Sequence, residues 1–274
     1  MIVCRSTAEL RRLRDANQLV GLVLQQLRKA VVPGVTTAEL DALAEREIRA
    51  AGAVPAFKGY KGYPASICAS VNEQVVHGIP SSARWLREGD IISIDLGAKL
   101  DGFYGDSAVT VGVGKISAKA AELLQVTEES LWRAIDAVRP GARVSDIGHA
   151  VQQHVEQFGF SVVREFVGHG IGSELHEEPQ IPNYGEPGRG PRLAEGMVLA
   201  IEPMVNAGAA AVKVLKDGWT AVTEDSSLSA HFEHTVAVTS DGVAVLSLNQ
   251  NERSGAGQWG PAGEARSRGA GAPG

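Results

Sequence analysis

Residues Ile91 to Val111 read IISIDLGAKLDGFYGDSAVTV. Ile91–Ala98 is an apolar run rich in β-branched residues, and Phe103–Val111 is a second; each reads as a buried strand. Lys99-Leu100-Asp101-Gly102 lies between them, and Asp-Gly is a strong turn signal. A loop of these four residues sets Asp95 directly opposite Asp106, with side chains roughly 5 Å apart. Two carboxylates so placed in an apolar hairpin repel and are costly to bury. Either they share a proton or a cation sits between them; on the hairpin alone, one could equally cap a loop and the other be solvated.

An internal repeat points to the cation. Glu88-Gly89-Asp90-Ile91-Ile92-Ser93-Ile94-Asp95 resembles Glu195-Gly196-Met197-Val198-Leu199-Ala200-Ile201-Glu202, 107 residues later. The same offset aligns Pro33-Gly34 with Pro140-Gly141 and Gly52 with Gly159. Each copy reads helix, Pro-Gly turn, helix, then a strand ending in a carboxylate. Gly105-Asp106-Ser107-Ala108-Val109 is matched by Phe232-Glu233-His234-Thr235-Val236 at an offset of 127, so the second hairpin is about 20 residues longer. A pseudo-twofold arrangement of half-domains, about 1–115 and 116–250, brings Asp95, Asp106, Glu202 and Glu233 to the centre of one antiparallel sheet. The fold class is α+β, with one domain over 1–250.

The chain has 274 residues, 44% of them hydrophobic, and a formal charge of −6. That suits one large core, and mild acidity argues against direct nucleic-acid binding. Two cysteines, Cys4 and Cys68, make no disulfide framework. The start, MIVCRSTAELRRLRD, has no signal-peptide core, and no apolar run is long enough to span a membrane. A cytoplasmic protein is expected.

Ser6-Thr7-Ala8-Glu9 and Thr36-Thr37-Ala38-Glu39 are capping-box patterns. They open helices ending near Ala30 and at Gly52. Ile67–Val71 reads as a strand. In the second copy, helices fit Ala118–Val138 and Ser145–Phe158, and strands fit Ser161–Val167, Met197–Ile201, 212–222 and 231–247. Residues 251–274, SGAG-rich and of low complexity, are expected to be disordered. Among the histidines, His149 and His154 fall on a helix and read as surface or packing residues. His169, flanked by glycines, is open to approach and becomes a candidate ligand beside four carboxylates. His77 and His176 sit in loops near prolines and acids. Alternation puts His231 on the face of Glu233 and turns His234 away; His231 is placed to approach the metals but is taken as a non-ligand.

Together these residues resemble the type I methionine aminopeptidases of the pita-bread (creatinase/aminopeptidase-like) superfamily. The resemblance runs to about residue 248. Its pieces are Gly59-Tyr60-Lys61-Gly62-Tyr63-Pro64, Val71-Asn72-Glu73 through His77-Gly78-Ile79-Pro80, Asp95-Leu96-Gly97, Gly105-Asp106-Ser107, Gly168-His169-Gly170-Ile171-Gly172, His176-Glu177-Glu178-Pro179, Ile201-Glu202-Pro203 and Glu233-His234-Thr235. No zinc-finger extension precedes the first helix, and 33 residues separate His169 from Glu202, leaving no room for the type II insertion. The likeness is to the short bacterial form.

The resemblance implies a dinuclear metal site. One ion is held by Asp106, His169, Glu202 and Glu233, the other by Asp95, Asp106 and Glu233. Oxygen ligands with one imidazole suit Mn, Fe(II), Co or Zn. It implies removal of the initiator methionine from nascent chains when the second residue is small. Glu202 moves the proton of the attacking water, His77 contacts the scissile amide nitrogen, and His176 stabilises the oxyanion. Tyr60, Tyr63, Cys68 and Trp219 match the methionine pocket. Phe57 stands where a cysteine is common in the family and Leu175 where an aromatic is common, leaving the pocket's shape open. A monomer in transient contact with the ribosome is expected. Two rivals remain: a related Xaa-Pro peptidase, and a metal-free module that binds partners.

Overall fold

The computed structural model describes residues 1–248; the expected disordered tail lies outside the described residues. The chain begins with two helices, α1 (Thr7–Ala30) and α2 (Thr37–Ala50). Both capping boxes form: the Ser6 and Thr36 hydroxyls accept from the backbone N–H of Glu9 and Glu39, whose carboxylates reach back. Strands β1 (Val54–Pro55), β2 (Ile67–Val71), β3 (Gln74–Val76), β4 (Ile91–Leu100) and β5 (Phe103–Gly112) follow. The second helical pair is α3 (Ala118–Asp136) and α4 (Val144–Gln157). Then come β6 (Ser161–Val162), β7 (Gly168–Gly170), β8 (Glu177–Ile181), β9 (Val198–Ile201) and β10 (Met204–Asn206). Strands β11 (Val212–Val214), β12 (Ala221–Thr223), β13 (Ser229–His231), β14 (His234–Thr239) and β15 (Gly242–Val245) complete the described chain.

Among the described residues every named strand pair is antiparallel. Strand β4 pairs with β1, β2 and β5, and a second sheet runs β15-β14-β9-β7-β8. Each sheet has its own helical backing. Val20, Leu24 and Leu27 of α1 and Leu40 and Ile48 of α2 pack with Ile67, Ile92 and Ile94. Leu123, Leu131, Ile147 and Val151 of α3 and α4 pack with Leu199, Ile201 and Val236. A third apolar cluster joins the two layers, with Leu13, Tyr63 and Cys68 on one side and Ile171, Val198 and Ala237 on the other.

The central hairpin differs from the sequence expectation by two residues of register. Leu100 pairs with Phe103, so the loop is Asp101-Gly102 alone. Both residues have positive φ, 47° and 85°, as the two-residue turn that matches strand twist demands. Asp95 therefore faces Ala108, and Asp106 faces Gly97. The two acids are diagonal neighbours rather than directly opposed, but a shift of two leaves both on the same face.

Other expected strands are broken. The 161–167 segment keeps only β6, because Arg164 and Glu165 turn outward and Phe166 packs edge-on against the His77 ring. The 212–222 segment is two strands around a turn in which Asp217 accepts from the N–H groups of Trp219 and Thr220. The 231–247 segment is interrupted at Phe232-Glu233 and again before Gly242. His154 and His149 have packing roles as expected: His154 lies 3.2 Å from Glu129, and His149 contacts the Gly185 carbonyl at 3.2 Å.

Candidate metal centre

Four separate elements deliver the candidate ligands. Asp95 and Asp106 come from the β4–β5 hairpin, His169 from β7, Glu202 from the residue after β9, and Glu233 from the link between β13 and β14. Hydrogen bonds fasten these elements together. The Glu233 N–H donates to the Ala108 carbonyl at 2.9 Å. The Ser107 hydroxyl donates to the Glu233 carbonyl at 2.6 Å, and the Thr235 hydroxyl to the Asp106 carbonyl at 2.8 Å. The Asp106 N–H donates to Asn17 Oδ1 at 3.3 Å, tying the hairpin to α1.

The glycines around His169 act differently from the sequence expectation of open access. His169 is only 7% exposed. A Cβ at Gly168 would lie 2.4 Å from the Ala200 carbonyl oxygen, and one at Gly170 2.3 Å from that of Glu178. The glycines let β8 and β9 close on the backbone, which is what brings the ring to the acids. His169 Nδ1 lies 2.9 Å from the Gly170 carbonyl. A carbonyl only accepts, so the proton sits on Nδ1 and the Nε2 lone pair faces the carboxylates.

That lone pair is 3.6 Å from Glu202 Oε1 and 3.9 Å from Asp106 Oδ2. One ligand atom each from Asp106, His169 and Glu233 lie within 4.8 Å of one another, as a metal ion requires. The donor set also fits on a second ground. Asp95 Oδ1, Asp106 Oδ1 and Glu233 Oε1 are buried without a hydrogen-bond partner. Buried polar atoms are ordinarily paired, and clustered anions need a counter-charge. Burial, followed by mutual repulsion, pushes the Asp106 and Glu233 carboxyls well above the usual range. Burial pushes Asp95 and Glu202 up to about 7. His169, buried, is pushed down, so it is the neutral, ligating form.

His77 and His176 lie beside this cluster. The His176 ring centroid is 4.3 Å from that of His169. Its Nδ1 is 2.9 Å from the Tyr60 hydroxyl, and the two rings stack. His77 holds a positive φ of 60°, and its ring meets Phe166 and Trp219 edge-on. Burial pushes both imidazoles down to about 4, so both are neutral near pH 7. Tyr63, Cys68, Phe57 and Leu175 share one apolar cluster, against which Tyr60 and Trp219 pack. Cys68 lies opposite Asp95 in the β2–β4 register. Burial and the charge of Asp95 push its thiol well up. Sequence reasoning anticipated one further neighbour and missed another. His231 Nε2 stands 3.4 Å from Glu202 Oε2; strand alternation signalled its face but not its contact. Arg5 forms a buried ion pair with Glu177, next to His176; no local pattern announces it. His234 turns away as expected, onto Ser247 and Trp132.

The model of metallopeptidase family M24 matches residues 11–240. The chain belongs to metallopeptidase family M24. Methionine aminopeptidase 1 of Bacillus subtilis is 57% identical over 246 residues, 90% of this chain and 99% of the relative. Solved methionine aminopeptidases from Thermotoga maritima and Rickettsia prowazekii superpose with TM-scores of 0.90 and 0.89, at 47% and 44% identity. They match 91% and 90% of this chain and 100% of theirs. Among M24 metallopeptidases, which are metal-dependent hydrolases, the chain therefore groups with the methionine aminopeptidases and shares their pita-bread fold. No described helix is long and apolar enough to cross a membrane.

Proposed function

We propose that this chain is a divalent-metal aminopeptidase that removes the N-terminal methionine from nascent proteins whose second residue is small. The observation that carries the reading is the buried group of four carboxylates and one imidazole, three of whose oxygens lack any partner. Two divalent ions (Mn, Fe(II), Co or Zn) balance four carboxylates. Asp106, His169, Glu202 and Glu233 would hold one; Asp95, Asp106 and Glu233 would hold the other. When bound, such ions supply Lewis acidity to the scissile carbonyl and acidify the attacking water.

The chain's own residues do the rest. Glu202 accepts a proton from the attacking water and passes it to the leaving amine nitrogen. This is supported by a carboxyl that burial already pushes up to about 7. His176, neutral and stacked on Tyr60, donates from Nε2 to the oxyanion; if the Tyr60 hydroxyl donates to Nδ1, the proton is left on Nε2. His77 contacts the scissile amide nitrogen. Tyr60, Tyr63, Cys68 and Trp219 surround the methionine side chain, whose soft thioether suits aromatic neighbours. The two halves, about 1–115 and 116–250, form a single catalytic domain, a reading supported by the apolar cluster that joins their helix-backed cores. The enzyme works in the cytoplasm as a monomer in transient contact with the ribosome.

The test is cleavage of Met-Gly-, Met-Lys- and Xaa-Pro-initiated peptides by chelator-stripped protein, with each metal restored in turn. Metal-dependent release of methionine from Met-Gly but not Met-Lys is expected. Cleavage of Xaa-Pro peptides alone would move the activity to the related peptidases. No cleavage with any metal would overturn the enzymatic reading.

A further inference from the structure

We infer that His231 is a positioning residue for Glu202: its Nε2–H holds one carboxylate oxygen so that the other stays turned to the ligand cluster. Glu202 stands between two imidazoles. His169 Nε2 lies 3.6 Å from Oε1, and His231 Nε2 lies 3.4 Å from Oε2. His231 is only 1% exposed, and its Nε2 has no hydrogen-bond partner among the described residues. A buried ring nitrogen is ordinarily satisfied, and the Glu202 carboxylate oxygen is the acceptor the structure places in front of it.

The ring is delivered from a rigid place. The His231 N–H donates to Thr110 Oγ1 at 2.8 Å, and that hydroxyl donates back to the His231 carbonyl at 2.8 Å. Ser93 Oγ lies 2.8 Å from the same hydroxyl, and His231 pairs with Met204, two residues beyond Glu202. His231 is thereby fixed at once to the hairpin that carries Asp95 and Asp106 and to the strand that follows Glu202. A carboxylate free to rotate offers either oxygen to an ion or a water; one anchored oxygen leaves a single ligating geometry.

The inference rests on Glu202 being a metal ligand and proton carrier, and two buried amides separate the cases. Gln at position 231 carries its N–H about as far from the backbone as Nε2 does; Asn stops short. The His231→Gln and His231→Asn proteins are compared with the wild type in cobalt(II) affinity by calorimetry, in the visible absorption of the cobalt(II) protein, and in kcat and KM for a Met-Gly peptide. His231→Gln should keep cobalt affinity, spectrum and kcat within about threefold. His231→Asn should lose about 10- to 100-fold in cobalt affinity and kcat, with an altered spectrum and KM nearly unchanged. An Asn variant that matches the Gln variant, or a Gln variant as impaired as Asn, would overturn the inference. If wild-type protein released no methionine with any ion, the activity reading would fail, while the cobalt comparison would still decide the role of His231.

Discussion

Glu202 is asked to ligate and to carry a proton, and those demands pull its carboxyl in opposite directions. Burial favours the protonated form and pushes the group up to about 7, while His169 pulls it back; bound cations would pull it further. A group balanced in this way can accept a proton and return it within one turnover. Glu202→Gln keeps the shape but cannot accept the proton. Its kcat for a Met-Gly peptide should fall about 10³-fold or more with unchanged circular dichroism; near-wild-type turnover would sink the assignment. Tyr60 offers a finer test. Loss of its hydroxyl in Tyr60→Phe removes the partner of His176 Nδ1 at 2.9 Å. The kcat should fall about tenfold with little change in KM, the worth of one hydrogen bond felt mainly in the transition state. At this scale the sequence showed residue types and faces. Asp95 and Glu202 were legible because each ends an apolar run, and Asp106 and Glu233 because the second repeat match aligns them. The pairing of Tyr60 with His176 spans 116 residues, and the approach of His231 to Glu202 depends on how β13 lies on β10. Neither leaves a local pattern.

Among the elements, close backbone approach decides more than propensity does. β7 can lie between β8 and β9 only because Gly168 and Gly170 have no Cβ. In Gly170→Ala the new carbon would meet the Glu178 carbonyl oxygen at 2.3 Å, so β7 or β8 must shift and carry His169 with it. A loss of about 2–3 kcal/mol in urea unfolding is expected, together with weaker metal binding in calorimetry. The segment before α1 is held by a different device. The Arg5 guanidinium, buried beside Gly172, pairs with Glu177, and the Arg5 N–H donates to the Gly196 carbonyl at 2.7 Å. Arg5→Ala leaves a buried carboxylate without its partner and should cost about 3 kcal/mol. Arg5→Lys should recover part of that, and equal stability of the Ala and wild-type proteins in urea would refute the role. Helices were the most legible elements, since capping boxes and Pro-Gly breaks mark their ends in the chain. Register was less so. An Asp-Gly pair fits either a two- or a four-residue loop, and only the positive φ of both Asp101 and Gly102 selects the shorter. The face survived because the two loops differ by an even number of residues.

Taken whole, the described residues place two helix-backed sheets, the largest of four, on either side of a shared apolar cluster, with the acids gathered between them. Without a cation that meeting point stores electrostatic stress, and the stress has a pH signature. Asp95 and Glu202 sit at about 7 in the folded chain, raised by burial from ordinary values of 3.8 and 4.5, and Asp106 and Glu233 are raised well above theirs. An acid with a raised folded pKa binds more protons folded than unfolded, so stability falls as pH climbs from the unfolded value toward the folded one. For Asp95 and Glu202 that window is about pH 4 to 7; Asp106 and Glu233, raised in the same direction, add to the fall. Each carboxyl titrating alone would contribute on the order of 1 kcal/mol per pH unit in its window. Chelator-treated protein should therefore melt at lower temperature at pH 8 than at pH 5.5. Glu233→Gln, with one anion fewer, should show a shallower fall. Excess Mn or Co should reverse the slope, because protons compete with the ion for the same oxygens and the ion wins as pH rises. Calorimetric melting of the three samples across pH 5–8 checks this. A chelated protein whose melting temperature climbs over that range, or a metal-induced gain that shrinks with pH, would mean that the buried acids are balanced by something other than a cation.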